Sequence, residues 1–313
     1  MTRTLKTMYS LAIGAALVFS SLASAQAPSA GGIGNPLALR SPLGLPVVPI
    51  FEGAYENEDG SVSYSFGYLN RNTGESIDVP LGTGNRIEPA KYDGVQPTHF
   101  ETTRHTGIFT VTVPAAERDG EVWWYITTPG HEELKVPGRR GRLGYTLDSK
   151  PRPAGSVAPL VSFTEGGPQG QDPMGMTAAN TLTVKAGVPV TLTVQTVDPS
   201  VRDPNDPRNE KPIPLRVSWH MHQGPGMVSF ERHPSSEEPA PLSALQIARG
   251  IAPPGPDQTV LTPGRGTASV IATFSEPGNY VMRTMVDNWD ATDSTEADQC
   301  CWTNVYQKVT VTP

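Results

Sequence analysis

The chain has 313 residues, a formal net charge of −7, and 32 prolines with 31 glycines, about a fifth of the sequence. Punctuation that dense disfavours long helices and favours short strands joined by turns. The acidic balance argues against nucleic acid or an acidic membrane surface as a partner, because either would select a basic face.

Residues 1–25 carry the three parts of a secretory signal peptide: Arg3 and Lys6, an apolar stretch over 11–22, and Ala23-Ser24-Ala25 ahead of Gln26. Cleavage after Ala25 removes two cations and takes the net charge from −7 to −9. The apolar stretch is shorter than the roughly 20 residues needed to span a bilayer, and no later segment approaches such a length. The expectation is an exported protein, periplasmic or extracellular, with no transmembrane segment in the mature chain. Residues 26–46, rich in Ala, Pro, Gly and Leu, read as a flexible leader.

A first domain is expected over 47–137, with strands at 49–55, 61–70, 75–80, 98–103, 107–114, 121–128 and 132–136. Turn signals such as Glu58-Asp59-Gly60 and Asn72-Thr73-Gly74 separate them, and Phe109-Thr110-Val111-Thr112-Val113 alternates with period two, as a half-buried strand must. Residues 138–180 read as a Pro/Gly-rich connection, with Arg139-Arg140-Gly141-Arg142 solvated and Leu160-Val161-Ser162-Phe163 as a candidate edge strand. A second domain over 181–313 carries strands at 181–184, 188–197, 215–222, 227–230, 267–274, 279–286 and 304–311. The expected fold class is all-β, two β-sandwich domains in series.

In the second domain Trp219, Gly224-Pro225-Gly226, and Pro277-Gly278-Asn279-Tyr280 leading to Val286-Asp287 resemble the immunoglobulin-like modules of the polycystic-kidney-disease (PKD) type. The resemblance implies an immunoglobulin-like sandwich with Trp219 on the third strand, and a spacer or adhesive role. The whole chain, including Pro97-Thr98-His99-Phe100 and Cys300-Cys301-Trp302-Thr303-Asn304, is also similar to a family of uncharacterised secreted bacterial proteins.

Enzyme signatures fail one by one. There is no Gly-x-Ser-x-Gly elbow, and His131-Glu132-Glu133-Leu134-Lys135 places a Lys where a zincin needs its second His. A carbohydrate-active or metal-dependent enzyme with residues converging from loops is kept as the alternative reading, and a subunit of an extracellular assembly as another.

Three constellations remain. Cys300 and Cys301 are adjacent in a chain bound for an oxidising compartment; of a vicinal disulfide, bonds to another chain, free thiols and a soft-metal site, the vicinal disulfide is favoured, although neighbouring Cα atoms about 3.8 Å apart require a distorted peptide. Alternation on the strand of Trp219 puts His220 and His222 outward together, as two surface histidines or, with Met227, as a copper pair. Asp198, Asp203, Asp206 and Glu210 in one loop, and Asp287, Asp290, Asp293, Glu296 and Asp298 in another, fall at the same end of such a sandwich. Asp198, Asp203, Asp287, Asp290 and Asp293 are the expected calcium ligands, since Ca²⁺ takes roughly 6 to 8 oxygens. The functional expectation is a non-enzymatic binding or scaffolding protein whose partner is a protein or glycan at the cell surface.

Overall fold

The computed structural model describes residues 43–141, 147, 151–239, 241–248, 253–294 and 300–313. The expected signal peptide, most of the leader, and Arg142, Glu296 and Asp298 lie outside the described residues. The fold is all-β, and residues 42–313 form one compact unit.

The N-terminal part is built on β1 (Val47–Glu56), β2 (Val62–Asn70), β3 (Ile77–Asp78), β4 (Asn85–Glu88), β5 (His99–Phe100), β6 (Thr103–Val113), β7 (Val122–Ile126) and β8 (Leu134–Gly138). Two three-stranded sheets, ordered β1-β2-β6 and β4-β7-β8, enclose a core of Phe51, Tyr64, Phe66, Phe109, Ile87, Trp124 and Ile126, and β3-β5 form a small third sheet. Phe66 stacks on Phe109 at 5.2 Å, and Trp124 meets Phe109 edge-on at 4.9 Å. Each ring of this kind buries some 150–250 Å² of surface, so few strands suffice. β2 is buried on both faces, because the face away from this core is covered as well.

That cover comes from the Glu52 and Arg104 side chains around Gly67 and from the C-terminal part, whose Met174 Sδ accepts from Ser63 Oγ at 2.8 Å. The C-terminal part comprises β9 (Leu160–Ser162), β10 (Met176–Lys185), β11 (Val190–Val197), β12 (Leu215–Gln223), β13 (Val228–Arg232), a five-residue helix α1 (Ala244–Ala248), β14 (Gln258–Leu261), β15 (Arg265–Phe274), β16 (Gly278–Asp287) and β17 (Trp302–Thr312). One sheet runs β13-β15-β11-β9 and the other β10-β17-β16-β12-β14, with β10 parallel to β17 and the other pairs antiparallel. That partition, with the third, sixth and seventh expected strands opposite the second, fourth and fifth, is the immunoglobulin Greek key. Trp219 is 1% exposed in its core. Tyr280, at the entry to β16, donates its hydroxyl to the Glu276 carbonyl at 2.9 Å, the tyrosine-corner contact of such sandwiches. The strand β14 departs from the sequence expectation: it follows β13 in the chain yet pairs with β12 in the opposite sheet.

The expected connection is not a solvated segment throughout. Ser156, Ala158 and Val161 are fully buried, β9 is an edge strand as its apolar patch predicts, and Arg140 forms ion pairs with Glu56 and Asp119.

Candidate functional site

The period-two pattern of β12 assigns Val217, Trp219 and Met221 to the core, and all three are there. Its other face was expected to meet solvent. Instead the register of β12, β16 and β17 sets out three cross-strand rows, Arg216–Asp287–Trp302, Ser218–Met285–Asn304 and His220–Arg283–Tyr306, and these face the N-terminal sandwich. His220 and His222 are therefore not surface histidines. His222 is 2% exposed, its Nε2 donating to the Val95 carbonyl at 2.8 Å, and burial drives its pKa down to about 3. A register shift between Met221 and Gln223 accompanies this placement. Met227, the expected thioether partner, is 54% exposed in the turn just before β13.

The seam is closed by backbone contacts rather than by apolar packing alone. Tyr306 donates to the Ile108 carbonyl (2.8 Å), Asn304 Nδ2 to the Gly107 carbonyl (2.6 Å), and the Thr98 amide to the His222 carbonyl (2.8 Å). Gly107 permits the approach: its φ is +56°, and a Cβ there would sit 2.0 Å from Trp302 Cζ2. Any side chain would push the sandwiches apart.

A recess of about 170 Å³ opens along this seam. Its apolar wall is Trp289, Trp302 and the Cys300–Cys301 pair; its polar wall includes Arg216, Asp287, Arg283, His105 and His220. The two cysteines form the expected vicinal disulfide, with Cα atoms 3.0 Å apart, and are 3% and 2% exposed. The Cys301 amide donates to Ser294 Oγ at 2.9 Å, which anchors the pair beside the recess.

The charges of the recess are unequally matched. Arg216 pairs with Asp287 at 2.9 Å, and Arg104 with Glu52 at 2.6 Å. Arg283, 3% exposed in the middle of β16, donates to the Asn304 amide oxygen at 3.1 Å, and among the described residues no carboxylate comes within ion-pair distance of it.

Beside Arg283, His220 Nδ1 lies 2.9 Å from Glu101 Oε2, and His105 Nε2 lies 3.8 Å from the same oxygen. Burial raises the Glu101 pKa, but the His220 charge and hydrogen bond, with His105 and Arg283, outweigh it and hold the carboxyl well below its usual range. An ionised carboxylate only accepts, so His220 Nδ1 carries the shared proton. His220 Nε2 is buried with no hydrogen-bond partner. Burial drives His105 to about 4; Glu101 opposes this, and the His220 and Arg283 charges reinforce it. His105 is thus neutral at pH 7, its Nε2 facing the Thr102 carbonyl at 3.0 Å.

The acidic loops do share one end of the sandwich, Asn288 Nδ2 reaching Asp198 Oδ1 at 3.5 Å, but Asp198, Asp203 and Asp293 have partners of their own, although Asp293 Oδ1 is buried without one. Asp198 accepts from Ser200 and pairs with Arg202 at 2.8 Å; Asp203 accepts from the Asn205 amide at 2.8 Å; Asp293 accepts from the Ala154 amide at 2.6 Å; Asp290 is exposed. Asp206 is held at a pKa of about 2 by the Arg208 side chain and amide. Among the described residues, Glu101, His105 and His220 are the one group of three whose candidate ligand atoms all lie within 4.8 Å of one another. Of these, sequence reasoning singled out only His220. Glu101 and His105 come from a segment with no motif, and Arg283 lies within the strand expected at 279–286 with nothing to single it out.

No family model and no curated protein matches the chain. Among solved structures it is similar to the D00-D0 domain of Intimin, at 13% identity and a TM-score of 0.24 over 85% of this chain and 100% of that one. A protein of unknown function from Porphyromonas gingivalis W83 aligns at 12% identity and a TM-score of 0.24, over 85% and 98% of the two chains. Dpr2 Ig1-Ig2, in complex with DIP-Theta Ig1-Ig3, aligns at 12% identity and a TM-score of 0.20, over 85% and 99%. The fold assignment rests on strand order, Trp219 and the Tyr280 corner rather than on these likenesses. No helix among the described residues is long and apolar enough to cross a membrane.

Proposed function

We propose that the chain is an exported, non-enzymatic binding protein that takes a small organic oxyanion in the recess between its sandwiches. One observation carries this reading: Arg283 is a buried guanidinium that lines a recess and has no carboxylate within ion-pair distance among the described residues. Buried charges are normally paired, and a guanidinium offers a planar fork of donors matched to carboxylate or phosphate. The indoles of Trp289 and Trp302 and the disulfide beside them supply an apolar wall for the body of such a ligand, in the usual division of a binding site between apolar walls and a few polar anchors. The vicinal disulfide belongs to this reading as a wall element.

The test is calorimetric titration of chelator-treated protein with ring-bearing carboxylates, uronic acids and aromatic acids, against neutral analogues of the same shape. Saturable binding of an acid, absent for its neutral analogue and at least tenfold weaker in Arg283→Met, supports the reading. Binding that survives Arg283→Met unchanged, or no binding across the panel, overturns it.

A further inference from the structure

We infer that Glu101, His105 and His220 form a binding site for a first-row divalent cation, with Zn²⁺ as the type ion, at the inner edge of the seam. This goes beyond the oxyanion reading and does not need it, because the three side chains converge whether or not an organic ligand enters.

The donor set is the first argument. Two imidazoles and one carboxylate suit zinc and its neighbours, and suit calcium poorly, since calcium takes oxygens. Geometry is the second. Bonds of roughly 2.0–2.1 Å in a tetrahedral arrangement put ligand atoms about 3.3 Å apart. The separations from Glu101 Oε2, 2.9 Å to His220 Nδ1 and 3.8 Å to His105 Nε2, fall on either side of that distance. The ion would take the place of the proton that Nδ1 now donates to the carboxylate, and His105 would exchange its Thr102 hydrogen bond for a metal bond.

Positioning is the third argument. Glu101 lies next to β6 and His105 in it, in one sandwich, and His220 on β12 of the other, so the ion would tie the two sandwiches together where the His220–Glu101 hydrogen bond now bridges them. His222, two residues on, takes no part: it is buried against Tyr306 and Val95. Three protein ligands leave a fourth position open, as in zinc sites that accept a further ligand. Arg283 is the opposing influence, a cation on the strand paired with His220. Its charge offsets that of Glu101, so an oxyanion in the open position would strengthen metal binding.

The test uses the full chain, stripped with chelator and titrated with Zn²⁺ in a buffer without carboxylates, with Co²⁺ as a spectroscopic probe. The expected result is one equivalent of Zn²⁺ per chain, and Co²⁺ ligand-field bands that Zn²⁺ abolishes. Zn²⁺ affinity should fall at least 100-fold in His105→Ala and in the near-isosteric Glu101→Gln, and stay within threefold in His233→Ala. Absence of a stoichiometric site in the wild-type chain, or an unchanged Zn²⁺ affinity in a folded Glu101→Gln protein, overturns the inference. Because the oxyanion titration is run on metal-free protein and this one without oxyanion, the two proposals can fail separately.

Discussion

Two regions of this molecule hold residues of the kind that bind ligands, and they differ in how their cations are matched: at the loop end Arg202 pairs with Asp198 at 2.8 Å, while at the seam Arg283 has no carboxylate within ion-pair distance among the described residues. At the loop end of the C-terminal sandwich, Asp198, Asp203, Asp206 and Asp293 accept hydrogen bonds from neighbouring amides, hydroxyls or arginines of the same chain. At the seam, Arg283 donates to the Asn304 amide oxygen, and buried atoms without a hydrogen-bond partner occur in both regions, His220 Nε2 here and Asp293 Oδ1 at the loop end. A dense cluster of acids in a sequence therefore says less about binding than a buried cation left without a nearby counter-charge. Asp198, Asp203 and Asp206 satisfy themselves locally through Asx-type turns; a buried cation on a strand cannot.

The sharpest way to break the contrast is to pry open the seam while leaving the loop end alone. Gly107→Val puts a β-branched side chain at φ +56° and against the Trp302 indole. Strain and overpacking together should lower stability by about 3–5 kcal/mol, measured by urea unfolding, with loss of Zn²⁺ and oxyanion binding. A loss below about 1 kcal/mol would show that the sandwiches separate freely.

The reciprocal change removes a partner at the loop end. Asp198→Ala leaves the Arg202 guanidinium, whose side chain is 13% exposed, without its carboxylate. The expected loss is about 2–3 kcal/mol, with Zn²⁺ affinity unchanged. A tenfold change in Zn²⁺ affinity would mean that the two regions are coupled.

How much of this was legible in the sequence follows the same division. Period-two alternation and the Trp219 and Tyr280 positions were enough for the C-terminal strands and for their inward face, because both are local properties of a half-buried strand. The short strands β4 and β14 were not legible: Asn85–Glu88 and Gln258–Leu261 are four residues each and paired with distant partners. The site was half legible. His220 stood out on its strand, but its ligand-type neighbours are more than a hundred residues away, on a segment that no spacing rule connects to it. Alternation separates the two faces of a strand; it does not say whether a second sandwich covers the outward one.

The covered face has a pH signature. His222 is buried neutral with a pKa near 3, against about 6.5 in an unfolded chain. The unfolded state therefore binds the extra proton first, and stability falls as pH drops from about 6.5 toward 3. Between pH 7 and pH 5 the His222 contribution to that loss is about 2 kcal/mol. His222→Asn, measured in chelator by urea unfolding at the two pH values, should be less acid-sensitive by that amount. An identical loss in variant and wild type would place the acid sensitivity elsewhere.

The smallest expected effect lies at the exposed tip of the loop end, where Asp203 Oδ1 accepts from the Asn205 amide and side chain at 2.8 and 3.1 Å. Asp203→Ala removes a local turn contact and should change stability by less than about 0.5 kcal/mol. Calcium added to the wild-type chain should leave its Tm unchanged, because a hard cation needs roughly 6 to 8 oxygens with free lone pairs, and these carboxylates would first have to release arginine and amide partners. A calcium-dependent rise in Tm that Asp203→Ala abolishes would show that the loops exchange those partners for the ion. The loop end would then be a second site, formed only when its ligand is present, and the contrast with the seam would become one between an induced site and a preformed one.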